Sequence, residues 1–359
     1  MKTLFTHLLV AIILLPLTST GQKLKGGFEK SEYIEILKLS ARWIDTCKVP
    51  QPERFKLNYR SKTVGLDNKW DLWTSNDSVA VISIRGTTLE PVSWLANFYA
   101  AMVPAKGQLT LSNTFKFDYH LADHPKAAVH VGWLISTAFL SQDILPKIDS
   151  CYRAGIKNFI VAGHSQGGGI AYLMTSYHHY LQKDNKIPSN IIFKTYCSAG
   201  PKPGNLYYAH DFELITREGR AFNIINSSDW VPEVPMSIQT LDDFNNTNPF
   251  LLAKDVIKKQ KLPARIALRF IYNDLDKPSR KAQENYQKYL GKMASKQIMK
   301  TLPEFVPPVY YNSNNYVRTG CPIVLMGDEN YFKLYPDGKK HVFIHHMFEP
   351  YYYLAEKLP

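Results

Sequence analysis

The feature that most constrains this chain is the pentad Gly163-His164-Ser165-Gln166-Gly167. Before it, Phe159-Ile-Val-Ala162 reads as a buried strand. After it, Ile170-Ala-Tyr-Leu-Met174 falls in a helix expected over about 167–181. A strand that turns at once into a helix holds the residue at the turn at a strained backbone angle. Side chains on the flanking positions would collide, so glycine occupies them. The serine hydroxyl then stands clear at the carboxyl edge of the sheet. The first amides of the helix point at the same spot, where negative charge would develop if that hydroxyl attacked a carbonyl.

The pattern is G-x-S-x-G, and the elements around it suit it. Residues 78–84 are short, β-branched and almost wholly apolar, a strand buried on both faces. Leu134, Ile135, Phe139, Ile144, Leu145 and Ile148 recur near helical spacing within 132–153, and Ile34, Ile36, Leu37, Leu39 and Trp43 do so within 31–45. Residues 191–196, 222–225 and 323–326 read as further strands. Residues 331–334 and 341–344 flank the turn Pro336-Asp-Gly338 and suggest a hairpin. Strands alternating with helices imply an α/β protein with a mostly parallel central sheet and helices on both faces. Together with the pentad, this predicts the α/β-hydrolase fold. Residues 238–310 behave differently, being polar, lysine-rich and helical, and read as an insertion within that fold.

The chain has 359 residues, 45% of them apolar, enough for a sizeable core. Residues 1–21 read as a signal peptide: Lys2 leads an apolar run from Leu4 to Leu17, and Ser19-Thr20-Gly21 offers small residues for cleavage before Gln22. The run is too short for a spanning helix, which needs about 20 apolar residues. The expected product is a secreted or periplasmic single domain over 22–359. Cys47, Cys151, Cys197 and Cys321 allow three disulfide connectivities, among which the sequence does not choose. No C-x-x-C spacing suggests a metal or redox site. The net charge of +12 is largely local, with 13 Lys and Arg against 4 Asp and Glu over 251–300. Such a block reads as a solvated helical face or as a transient contact with an anionic lipid surface. Nucleic-acid binding is not expected, because no recognition motif accompanies the charge.

A serine nucleophile needs a base, and the base needs an orienting carboxylate, in the chain order Ser, acid, His. Asp229 lies just beyond the strand 222–225, at the end of the sheet where such sites gather. After it come only His341, His345 and His346, so any of the three preserves the order. His120, His124, His130, His178 and His179 lack the carboxylate or cysteine spacing of a metal site and read as structural.

Five segments, the pentad's own among them, resemble the fungal-type, class-three triacylglycerol lipases. Ile84-Arg-Gly-Thr87 is similar to that family's apolar-Arg-Gly-Thr/Ser strand end, and Val129-His-Val-Gly-Trp133 to its V-H-x-G-F. Gly163 to Gly168 matches G-H-S-x-G-G. Pro201-Lys-Pro-Gly-Asn205 resembles P-R-V-G-N, and Asn226 to Pro235 fits N-x-x-D-x-V-P-x-x-P. The resemblance implies Ser165 as nucleophile, Asp229 as triad acid and His346 as base. His346 is favoured because His346-Met-Phe-Glu-Pro-Tyr351 is similar to H-x-x-E-x-Y, with His345 the rival. It implies an oxyanion hole from Thr87, by amide and hydroxyl, and from the backbone amide of Gln166. It also implies a lid near 89–101, with Trp94, Leu95, Phe98 and Tyr99 on its apolar face. Gln166 stands where the family usually carries Leu, which predicts a more polar oxyanion region.

The expected function is ester hydrolysis on acylglycerols through a Ser-His-Asp triad and an acyl-enzyme, requiring no metal or cofactor. The alternatives are a phospholipase or polar-ester esterase and, from another class, a binding protein on an inactive scaffold.

Overall fold

The computed structural model describes residues 24–359, so the signal peptide expected at 1–21 lies outside the described residues. The central sheet is seven-stranded in the order β1 (Phe55–Arg60), β2 (Trp70–Ser75), β3 (Val79–Ile84), β8 (Asn158–His164), β9 (Ile192–Ser198), β11 (Ala221–Asn226), β13 (Cys321–Leu325). From β3 onward every pairing is parallel; β1 and β2 add an antiparallel edge. This is the α/β-hydrolase arrangement. Between these strands run β4 (Met102–Pro104), β5 (Lys106–Thr110), β6 (Lys116–His120), β7 (Ala128–His130) and β10 (Gly204–Asn205), with β12 (Tyr316–Val317) late in the chain. Strands β12, β10, β7 and β4 form a small second sheet, and β5 pairs with β6.

The helices are α1 (Lys30–Ser40), α2 (Pro91–Phe98), α3 (Val131–Arg153), α4 (Gln166–Lys183), α5 (Leu206–Ile215), α6 (Ala253–Lys258), α7 (Leu262–Gln287), α8 (Ala294–Thr301), α9 (Glu329–Leu334) and α10 (Phe348–Glu356). Two cores lie on the two faces of the sheet. The period-two geometry of a strand sends Ala80, Ile82, Phe159 and Val161 into a core shared with α3, α4 and α5. Val79, Val81, Ile160 and Ala162 enter the other, shared with α1 and α10. The unbroken apolar runs of β3 and β8 follow from burial on both faces.

Several expectations are corrected. Residues 331–334 and 341–344 form no hairpin. The first lie in α9, whose start is fixed by the Asp328 carboxylate accepting the Tyr331 amide at 2.8 Å. Residues 344–346 are a 3₁₀ turn. The segments before residue 76 and over 102–128 hold strands that the sequence reading left undivided. All four cysteines are unpaired. Residues 249–301 are helical apart from a break at 259–261, and a π-helical turn, Lys288–Met293, joins α7 to α8. The turn leaves the Leu290 carbonyl to accept the Ala101 amide at 3.0 Å, which ties the insertion to the start of β4. No helix among the described residues is long and apolar enough to cross a membrane.

Candidate active site

Ser165 sits between β8 and α4 at φ 61° and ψ −131°, a left-handed backbone held by a non-glycine residue. The flanking glycines are obligatory here. A Cβ on Gly163 would fall 2.2 Å from the Gly167 carbonyl carbon, and one on Gly167 would fall 2.2 Å from the Ile84 oxygen. The Ser165 amide is engaged, donating to the Ser198 carbonyl at 3.0 Å. The amide of Gln166, first in α4, has no acceptor among the described residues, and neither does that of Thr87. Both residues line the cavity into which Ser165 opens.

That cavity is about 800 Å³ and mainly apolar, walled by Trp94, Phe98, Trp230, Met236 and Phe343 among others. His346 lines it too. Its Nδ1 lies 2.7 Å from Asp229 Oδ2. Because a carboxylate only accepts, Nδ1 carries the proton and Nε2 is left as the basic nitrogen. No hydrogen bond joins Ser165 Oγ to the ring, although both residues face the same cavity. Asp229 is buried on the turn after β11. Its Oδ2 also accepts the Tyr351 hydroxyl at 2.8 Å, and its Oδ1 accepts the Val231 amide at 3.0 Å. Burial would push this carboxyl up, but the His346 hydrogen bond and charge, with these other donors, hold it below its ordinary value.

His345 points elsewhere. Its Nδ1 accepts the Tyr331 hydroxyl at 2.7 Å, and its Nε2 faces Asp337 at 3.0 Å. It does not line the cavity. His341 is exposed and lines it no more than His345 does. The pentad's own His164 reaches the base instead. Its Nε2 donates to the His346 carbonyl at 2.7 Å, and its Nδ1 accepts from Ser198 Oγ at 3.0 Å. Complete burial holds this imidazole neutral, lowered to about 3.

The Gln166 side chain does not make the oxyanion region more polar. It turns beneath α2, where Nε2 donates to the Ser93 carbonyl at 2.9 Å and to Asn97 Oδ1 at 2.8 Å. Asn97 Oδ1 also accepts the Trp133 indole at 3.1 Å. Two obligate donors on one atom identify it as the oxygen, so Asn97 Nδ2 faces Thr87 Oγ1, at 3.0 Å. Thr87 Oγ1 therefore accepts, and its own proton is free to point into the cavity. Sequence reasoning missed Asn97, which no motif marks. It also missed the bond from Tyr351 to Asp229, although that tyrosine closes the H-x-x-E-x-Y segment.

Residues 81–238 match the family described as Lipase (class 3). The match supports the class-three lipase resemblance that the sequence motifs carry. It is a lipase-type serine hydrolase acting on esters. No curated protein sequence matches it. Among solved structures it is similar to the Lip2 lipase of Yarrowia lipolytica (16% identity over 59% of this chain and 76% of that one, TM-score 0.44). It is also similar to the propeptide complex of Rhizomucor miehei lipase (18%, 58% and 63%, TM-score 0.42) and to the lipase of Rhizopus microsporus var. chinensis (18%, 66% and 79%, TM-score 0.40). The chain thus spans less than two thirds of the Rhizomucor complex chain. With overlaps this partial, the functional reading rests on the family match over 81–238 and on the site itself.

Proposed function

We propose that this protein is a secreted lipase that hydrolyses acylglycerol esters with Ser165 as nucleophile, His346 as base and Asp229 as its orienting acid. One observation carries the reading: His346 bridges a buried, ionised Asp229 and the apolar cavity that Ser165 enters. His346 Nε2 removes the Ser165 proton as Oγ attacks the ester carbonyl. The amides of Thr87 and Gln166, with the Thr87 hydroxyl, hold the oxyanion, each such donor contributing roughly 10²–10³ in rate. His346 then protonates the leaving alcohol, and water releases the acid by the same route.

In this reading α2, with the chain on either side over 89–101, is the lid. Trp94 and Phe98 supply its apolar inner wall, while Tyr99 is core. The mainly apolar cavity favours an acyl chain over a polar ester. The excess of 13 Lys and Arg over 4 Asp and Glu across 251–300 favours, as the second reading, a phospholipase acting on anionic lipid.

A p-nitrophenyl ester series, from short to long acyl chains, tests this in the wild type and in Ser165→Ala. Hydrolysis that rises with chain length and vanishes in the variant is the expected result. Equal inactivity of both proteins on every ester and on phospholipid would overturn it.

A further inference from the structure

Apolar side chains that a fold leaves in water mark a surface that something else covers. Residues 261–271 are all exposed, and they include Leu262, Ile266, Phe270 and Ile271, with Phe270 at 66%. Leu251, Leu252 and Val256, just before α7, are exposed as well. The other end of α7 is anchored through buried Gln283 and Tyr286. At about 100° per residue, Ile266 and Phe270 fall on the arc opposite that anchor, so the body of the protein does not reach them.

The charge around this face is mainly positive, with Asp255 and Asp274 as the exposed acidic exceptions. Over 254–269, Lys254, Lys258, Lys259, Lys261, Arg265 and Arg269 stand against Asp255 alone. All six are exposed, and among the described residues only Lys258 has an ionic partner, Asp255 at 3.5 Å. Neither a second copy of this chain nor any other cationic surface suits such a face, since like charges would meet. A helix with a phenylalanine-bearing apolar arc and a basic border lies stably in the headgroup plane of an anionic membrane, its apolar side chains below the phosphates and its cations among them.

We propose that the exposed half of α7, with 251–259 before it, docks this protein on an anionic lipid surface by inserting Ile266, Phe270 and Ile271 while the surrounding lysines and arginines meet the headgroups. The function of this contact rests on the lipid-ester reading above. The same helix runs on to Tyr286, and the turn after it to Leu290, both of which line the cavity. Docking α7 therefore holds the site at the surface that supplies its substrate.

The test is co-sedimentation of the full chain with sucrose-loaded vesicles of ether-linked lipids, which the enzyme cannot hydrolyse. One set is phosphatidylcholine alone, the other carries a third phosphatidylserine. The expected result is binding to the anionic set that falls steeply with salt. Binding should be about tenfold weaker in Phe270→Asp/Ile271→Asp, whose melting temperature and hydrolysis of a water-soluble ester stay those of wild type. Equal binding by the double variant and wild type, or binding indifferent to phosphatidylserine, would overturn the proposal. So would sedimentation velocity showing a wild-type dimer that the substitutions dissociate, which would make the face a contact between copies. Anionic binding that persists while no ester is hydrolysed would leave the docking surface standing and remove the lipase reading instead.

Discussion

Two long helices of this chain differ sharply. In α4, which follows Ser165, 14 of 18 residues are buried. In α7, 2 of 26 are. Both carry leucine and isoleucine, yet α4 packs them against the sheet and α3, and α7 displays them to solvent. The first helix is a fixture: its start is set by glycine contacts, and its first side chain, Gln166, is bonded to α2. The second is joined to the body mainly at its C-terminal end. A site that must hold atoms to a fraction of an ångström belongs on the first kind of element, and a surface that must meet something outside the protein belongs on the second. Substitutions near α4 should therefore strike the chemistry, and those on outer α7 should leave it alone.

The largest effect that would test this division is at the elbow. Ser165→Ala is expected to lower kcat on a soluble ester by about 10⁵–10⁶ without lowering the melting temperature, read by ester hydrolysis and calorimetry. Asp229→Asn should follow at about 10⁴, because an amide facing His346 Nδ1 favours the wrong tautomer. Activity within tenfold of wild type would show that another carboxylate orients the base.

Asn97→Ala sharpens the comparison at the wall between the two helices. It removes the partner that turns the Thr87 proton toward the cavity, and it leaves the Trp133 indole and Gln166 amide short of an acceptor. A roughly tenfold to hundredfold fall in kcat with KM nearly unchanged is expected, less than the loss of a whole oxyanion donor. A change confined to KM would make Asn97 a substrate contact instead.

The buried helix should also carry a pH signature. His130, His164 and His178 are completely buried, and burial lowers each to about 3. The unfolded chain takes up their protons near pH 6.5 and the native protein does not. Stability is thus intact above about pH 6.5 and falls as the pH drops toward 3, by roughly 1 kcal/mol per pH unit for each. His178, on α4, has no hydrogen bond to either nitrogen and stacks on Phe193. Urea midpoints between pH 7.5 and 5 should show a shallower fall in His178→Phe. An unchanged slope would mean that this ring is protonated in the native state.

The smallest effect is expected on α7. Ile266→Gln should leave soluble-ester kcat within about twofold and stability within roughly 0.5 kcal/mol, as for a surface position. A larger loss in urea unfolding would mean that α7 packs on the body in solution.

How much of this was legible follows from how local each cause is. β3, β8 and β11 were readable as apolar runs, and the ends of α3 and α4 as changes of period. β1, β2 and the strands between 102 and 130 were not, because strands that are short or lack a long apolar run are specified by the partners they pair with. The 331–344 segment failed for a similar reason. Its turn residues fit a hairpin, but Asp328 offers a helix cap, and Tyr331 is drawn inward by Asn226, whose Nδ2 it accepts at 2.7 Å.

The sequence by itself determined the elbow, since glycine is required wherever a Cβ would strike backbone. It also determined the order of nucleophile, acid and base candidates, and the concentration of positive charge over 251–300. The tertiary structure decided which of three histidines meets Asp229, because the choice between His345 and His346 is a matter of which way a 3₁₀ turn faces. It also turned the Gln166 side chain beneath α2 and set Asn97 behind Thr87. Those arrangements join atoms far apart in the chain, and only the packing of α2 and α4 against the sheet brings their donors and acceptors within reach.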